Sequence, residues 1–156
     1  MAKLQRDLNE FVGLLNSQGV EYVVVGGHAV AFHGHPRFTG DIDLLVRPDR
    51  DNAQRLLRVL KDFGFGSLDL GPDDLTTPER IVQLGQPPNR IDLLSSISGV
   101  SFDEAWNTRV AGELGDHRVS FLGWDALIRN KTASNRDKDR LDVAKLQAIA
   151  ARRRGH

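Results

Sequence analysis

The 156-residue chain contains no cysteine. This excludes a disulfide-stapled scaffold, a thiolate zinc site and a cysteine nucleophile, and it accords with a reducing compartment. Net charge is also missing, because 21 basic residues balance 21 acidic ones. Without a bulk basic footprint, any phosphate site must be local. Long apolar runs are absent too. The strongest, around Val20 to Val25, is interrupted by Glu21 and falls far short of the roughly 20 residues that a membrane span needs. Met1 to Asp7 mixes charged, polar and apolar positions and has no signal-peptide core, so the expectation is a soluble, cytoplasmic protein without a membrane partner. Internal repeats and low-complexity tracts are lacking.

What remains is ordinary globular composition, 40% apolar and 27% charged, at a length that suits one domain. Residues 1–156 are therefore read as a single domain, with 123–154 as a short C-terminal helical extension. Leu4, Leu8, Phe11, Val12, Leu14 and Leu15 recur at helical spacing up to Gly19. Tyr22 to Val25 reads as a strand buried on both faces that stops at Gly26-Gly27, where a helix of about two turns opens. Asp41 to Val46 reads as a second strand. Pro48-Asp49 then supplies the turn and cap of a helix carrying Ala53, Leu56, Leu57, Leu60 and Phe63. Ser67 to Thr77 reads mostly as loop, and Arg80–Leu84 with Arg90–Leu94 as a hairpin. Ser101 and Glu104 form a capping-box pattern, Val119 to Leu122 suits a last strand, and two helices, Trp124–Thr132 and Asp137–Arg153, close the chain. The sum is a layered α/β (α+β) arrangement, a mixed β-sheet with packed helices.

The chemistry concentrates between Val23 and Val46. Glycines at the end of a buried strand let the backbone turn tightly and let a ligand approach the main chain, while exposed amides beyond them attract anions. Gly26 and Gly27 thus suit a nucleotide phosphate. Two positions apart on a strand, Asp41 and Asp43 project to the same face, about 6.6 Å apart along the chain, with Ile42 facing the core. Hard carboxylate ligands of this kind favour Mg²⁺ or Mn²⁺. Asp92, on the Arg90–Leu94 strand, is the candidate third carboxylate, either as a ligand of a second metal or as the group that takes a proton.

Val25-Gly26-Gly27, thirteen intervening residues and Asp41-Ile42-Asp43-Leu44 resemble the signature of the nucleotidyltransferase superfamily: an apolar residue, two small residues, a spacer, then Asp-apolar-Asp or Glu. The fuller string, with His28-Ala29-Val30, His33-Gly34 and Arg37-Phe38-Thr39-Gly40, looks like the small prokaryotic branch related to the abortive-infection toxin AbiEii and the minimal nucleotidyltransferases. Leu127 to Thr132 and Arg136 to Asp142 are similar to that branch as well. The resemblance implies the nucleotidyltransferase fold and Mg²⁺-dependent transfer of a nucleoside monophosphate from a nucleoside triphosphate to a hydroxyl, with release of pyrophosphate. It also implies that Gly26 and Gly27 cradle phosphates, that Asp41 and Asp43 hold metal, that Asp92 matches the third carboxylate, and that Lys131 or Lys138 contacts nucleotide.

Plainer readings stand beside these. A glycine pair alone is usually a turn, and one acid in a half-buried hairpin strand is common. Two acids flanking one isoleucine in an apolar run, however, are costly to bury without a cation. His28, His33 and His35 invite zinc, but no helical ligand pair accompanies them, and packing or a phosphate contact accounts for His28 equally well. Arg37 and Thr39 stand where a guanidinium or a hydroxyl reaches triphosphate oxygens. The charge run from Lys131 to Asp142 reads by default as a solvated face, Arg152-Arg153-Arg154 as a frayed, exposed end, and Trp106 and Trp124 as packing residues. The rival to an enzyme is a non-catalytic or weakly catalytic nucleotide-binding module, or one component of a toxin-antitoxin pair with a protein partner. The acceptor stays open among RNA, a protein hydroxyl and a small molecule.

Overall fold

β1 (Tyr22–Val25) is buried along its whole length, as befits a short apolar, largely β-branched run with no polar face to offer water. The structure is a computed structural model and describes residues 6–36, 40–65, 68–86 and 89–154. Its six-stranded sheet has the order β3 (Ile81–Leu84), β4 (Arg90–Leu94), β2 (Asp41–Val46), β1, β6 (His117–Phe121), β5 (Val110–Leu114). β1 runs antiparallel to β2 and parallel to β6, and β2 runs parallel to β4. The outer pairs, β3 with β4 and β5 with β6, are antiparallel. The sheet is therefore mixed, as the hairpin in the sequence requires.

Helices cover it by the spacing of their apolar positions. α1 (Arg6–Ser17) buries Leu8, Phe11, Val12 and Leu15 and stops before Gly19, whose φ of 70° suits glycine. It packs against α3 (Arg50–Leu60) and β6. α3 is capped by Asp49, whose carboxylate accepts from the Asn52 amide at 2.8 Å. α2 (Gly26–Phe32) follows β1 directly, and α5 (Phe102–Asn107) opens with the expected capping box of Ser101 and Glu104. α6 (Trp124–Ser134) and α7 (Asp137–Arg154) pack on each other. Among the described residues no helix is long and apolar enough to cross a membrane.

The structure refines the expectation at four places. After Leu60 the helical backbone runs on as a π-type turn over residues 61–65, in which Gly64, at φ 105°, ends the helical conformation and Phe63 meets Phe11 edge-on at 5.2 Å. The stretch expected to be mostly loop is so, apart from α4 (Asp73–Thr76), a single turn anchored by Leu75. β5 had no place in the reading, because an edge strand that leaves Val110, Ala111 and Glu113 exposed shows no in-out alternation. Arg152 to Arg154 are exposed as expected but remain helical, with Arg153 lying against Gly34.

Asn52 ties the start of β1 to the end of β2. Its side-chain oxygen accepts from the Glu21 amide at 2.7 Å, and its Nδ2 donates to the carbonyls of Glu21 and Arg47, each at 3.0 Å. Asn52 is itself buried, so truncating it removes three hydrogen bonds to the backbone, although the Glu21 carbonyl still accepts from the Arg47 amide at 3.1 Å. Asn52→Ala should lower the unfolding free energy by about 1–3 kcal/mol. Urea unfolding at unchanged m-value measures this, and a loss below about 0.5 kcal/mol would mean that water reaches those groups.

Candidate active site

Strand directions bring the candidate residues together. Because β2 is antiparallel to β1, the last residue of β1, Val25, lies opposite Asp43. Because β4 is parallel to β2, Asp41 lies opposite Arg90 and Asp43 opposite Asp92. The end of β1 and the first halves of β2 and β4 thus share one edge of the sheet. Along β2, Ile42 is buried while Asp41 and Asp43 are half-exposed, which is the period-two alternation expected of a strand.

Gly26 makes the turn into α2 at φ 66°, and a Cβ there would lie 2.1 Å from the Asp43 Oδ2. Glycine is needed twice over, for its positive φ and for the room it leaves to a carboxylate. Asp41, Asp43 and Asp92 each present a carboxylate oxygen within 4.8 Å of the others. Burial, together with the neighbouring Asp41 and Asp92 carboxylates, pushes Asp43 up to about 7. Burial also raises Asp92. For Asp41 burial acts in the same direction, but hydrogen bonds with Asp92, Arg90 and Asp43 and the Arg90 charge outweigh it, and its pKa falls below the ordinary value. Three carboxylates so crowded are a donor set that a hard divalent cation relieves, and they fit Mg²⁺ or Mn²⁺.

These groups open onto a cavity of about 620 Å³ whose walls include Gly26, Gly27, Gly40, the three aspartates, Arg90, Asn130, Arg136 and Lys138. An acidic floor therefore faces a basic rim. Lys138 is exposed on that rim. Arg136, also exposed, is held by Asp139 at 2.8 Å and is close enough to Asp43 to feel its charge.

Lys131 borders the same cavity but is buried between Asp139 and Asp142, at 3.3 and 3.2 Å. Asp139 and Asp142 are buried too, so this stretch is not the solvated face that its charge pattern suggests. Burial opposes the ionised form of Asp139, yet hydrogen bonds from Arg136 and Ser134 and the Lys131 charge hold it well below the usual carboxylate range. His28 hydrogen-bonds the Asp41 backbone, and burial lowers its pKa. His33 lies 2.7 Å from the Leu122 carbonyl and packs on Phe32 and Trp124. Among the described residues, the cluster of metal-ligating side chains is the aspartate triad, without a histidine. Arg37 and Thr39 lie outside the described residues. Arg90 and Arg136 went unnoticed in the sequence as site residues. The Arg-apolar-Asp spacing of Arg90-Ile91-Asp92 was the available signal for the first.

Residues 4–156 match the family described as "Nucleotidyl transferase of unknown function (DUF2204)". None of the curated proteins compared matches the chain. Among solved structures, the lincosamide antibiotic adenylyltransferase LnuA bound to lincomycin is similar, at 17% identity and a TM-score of 0.62 over 96% of this chain and 99% of that one. A candidate nucleotidyltransferase from Thermotoga maritima is similar at 17% identity and a TM-score of 0.56, over 96% of this chain and 89% of that one. An antigenic nucleotidyltransferase-like protein from Paracoccidioides brasiliensis follows at 17% identity and 0.55, over 95% and 79%. At these identities the likeness establishes the fold, which is the nucleotidyltransferase fold.

The raised Asp43 pKa sets a sign for stability. Between the ordinary value of 3.8 and about 7 the folded protein holds a proton that the unfolded chain has released. Stability in cation-free buffer should therefore fall as pH rises through that window. Thermal unfolding in EDTA across the window should show the decline in the wild type and a flatter profile in Asp43→Asn. A wild-type midpoint that climbs through the same window would contradict it.

Proposed function

From the premise that the chain belongs to the family of nucleotidyl transferases of unknown function that its sequence matches, we propose that it moves a nucleoside monophosphate from a nucleoside triphosphate to a hydroxyl. The observation that carries this reading is the meeting of three carboxylates with a glycine turn and a basic rim in one cavity. In the reaction, the acceptor oxygen bonds to the α-phosphorus, the bond from that phosphorus to the bridging oxygen breaks, and pyrophosphate leaves. The backbone at Gly26 and Gly27 approaches the phosphates where a side chain would block them. Arg136 and Lys138 attract the triphosphate charge from the rim. Asp41, Asp43 and Asp92 would hold Mg²⁺ or Mn²⁺, which supplies charge neutralisation and a more acidic acceptor hydroxyl. The alternative role for Asp92, in place of a cation ligand, is to take the proton that the acceptor loses.

The acceptor reading is a small molecule. The similar adenylyltransferase binds lincomycin, a small molecule. The same likeness supports ATP as donor. α6 and α7 supply part of the cavity wall, which supports counting residues 123–154 within one catalytic domain.

Each ribonucleoside triphosphate, titrated calorimetrically with and without Mg²⁺, should reveal one preferred donor whose binding needs the cation. Pyrophosphate release with that donor and a panel of small hydroxyl compounds should fall by about 10³-fold in Asp41→Asn or Asp43→Asn, with the circular dichroism spectrum unchanged. Retained release in the double variant would overturn the mechanism.

A further inference from the structure

Asp41, Asp43, Arg90 and Asp92 occupy four corners of one face of the β2–β4 pair, Asp41 opposite Arg90 and Asp43 opposite Asp92. Three corners are acidic and the fourth is a guanidinium. The Nε and Nη2 of Arg90 donate to the two oxygens of Asp92 at 3.1 and 3.2 Å, the side-on fork that a guanidinium makes with a carboxylate. Nη2 donates also to Asp41 Oδ2 at 2.9 Å. Two of the three carboxylates assigned to a divalent cation are thus already bonded to the chain's own cation. A divalent ion and the guanidinium cannot both occupy those oxygens at full strength, because they repel each other and compete for the same lone pairs. The Arg90 side chain is 32% exposed and borders the cavity, so it has solvent space on the side where a triphosphate would lie.

We infer that Arg90 is an exchangeable counter-ion: it holds Asp41 and Asp92 in the nucleotide-free protein, opposes entry of the bare divalent cation, and turns to the donor's phosphates when cation and nucleotide arrive together. The inference rests on the reading of the three aspartates as cation ligands. It predicts a coupling between the two ligands that goes beyond their direct contact, since nucleotide draws away the competitor of the metal. A fixed scaffold arginine would predict the opposite. Removing it would loosen Asp41 and Asp92 and weaken cation binding.

The test is a titration of the nucleotide-free protein with Mn²⁺, followed by electron paramagnetic resonance of the free ion. Arg90→Gln should bind Mn²⁺ at least about tenfold more tightly than wild type. Arg136→Gln removes the same charge from the same cavity but makes no bond to Asp41 or Asp92, and it should gain at most about threefold. Affinity for Mg²⁺ with α,β-methylene-ATP should meanwhile fall about tenfold in Arg90→Gln, for want of the guanidinium on the phosphates. Unchanged or weaker Mn²⁺ binding in Arg90→Gln, a gain matched by Arg136→Gln, or undiminished nucleotide affinity would each overturn the inference. If Arg90→Gln does not fold, Arg90→Lys keeps the charge, loses the fork and should gain an intermediate amount; no gain would again overturn it. Failure of the underlying reading has its own signature: Asp43→Asn would leave Mn²⁺ affinity untouched. Mn²⁺ binding that depends on Asp43 but ignores Arg90 would count against the counter-ion role alone.

Discussion

Mutual repulsion among Asp41, Asp43 and Asp92 is the constraint around which this molecule is arranged. Strand pairing forces it, because the β2–β4 register sets Asp43 beside Asp92 and the pleat brings Asp41 to the same face. Charges of one sign this close cannot all ionise at ordinary carboxylate pKa values. The fold answers locally with Arg90, which bonds two of the three. It also leaves Gly26 without a side chain where any Cβ would meet the third. The stability that tolerates such crowding comes from elsewhere, from a sheet whose central strand is wholly buried and from the apolar stripes of α1 and α3 against it.

A second charge network lies behind the first. Lys131, Asp139 and Asp142 are buried together, and Asp139 reaches outward to hold Arg136 at the rim. A buried ion set of this kind contributes little net stability over an apolar packing of equal volume, but it is costly to break in part. Its visible effect is positional: it fastens the start of α7 to α6 and holds Arg136 at the cavity wall, near enough to Asp43 to feel its charge. Lys131 belongs to that scaffold, whereas Arg136 and Lys138 line the cavity as exposed cations.

How far the sequence carried the reading differs from residue to residue for physical reasons. Period-two alternation at Asp41-Ile42-Asp43 and the glycine pair after an apolar run located the floor of the cavity, because these signals are local. β5 escaped, since an exposed edge strand has no buried face to mark it. α4 escaped because one helical turn is too short to show a period. The buried state of Asp139 and Asp142 was illegible for a different reason: alternating charges look the same whether they face water or one another, and only the packing of α7 on α6 decides. Arg90 was visible as a residue but not as a partner. Its place opposite Asp41 follows from strand order, and strand order depends on contacts distant in sequence.

Taken together, the acidic floor and the basic rim limit what can settle in the cavity. A free phosphate is welcomed by Arg136 and Lys138 and repelled by the triad, while a bare cation is drawn to the triad and opposed by Arg90. Each half of the site is thus a poor host for the ligand that suits the other. An anion that brings its own divalent cation satisfies both halves at once, and it does so with the cation on the aspartates and the phosphates on the rim. Under the proposed reading, the charge layout therefore selects for the metal–nucleotide pair rather than for either member, and it does so before any contact with base or acceptor is made.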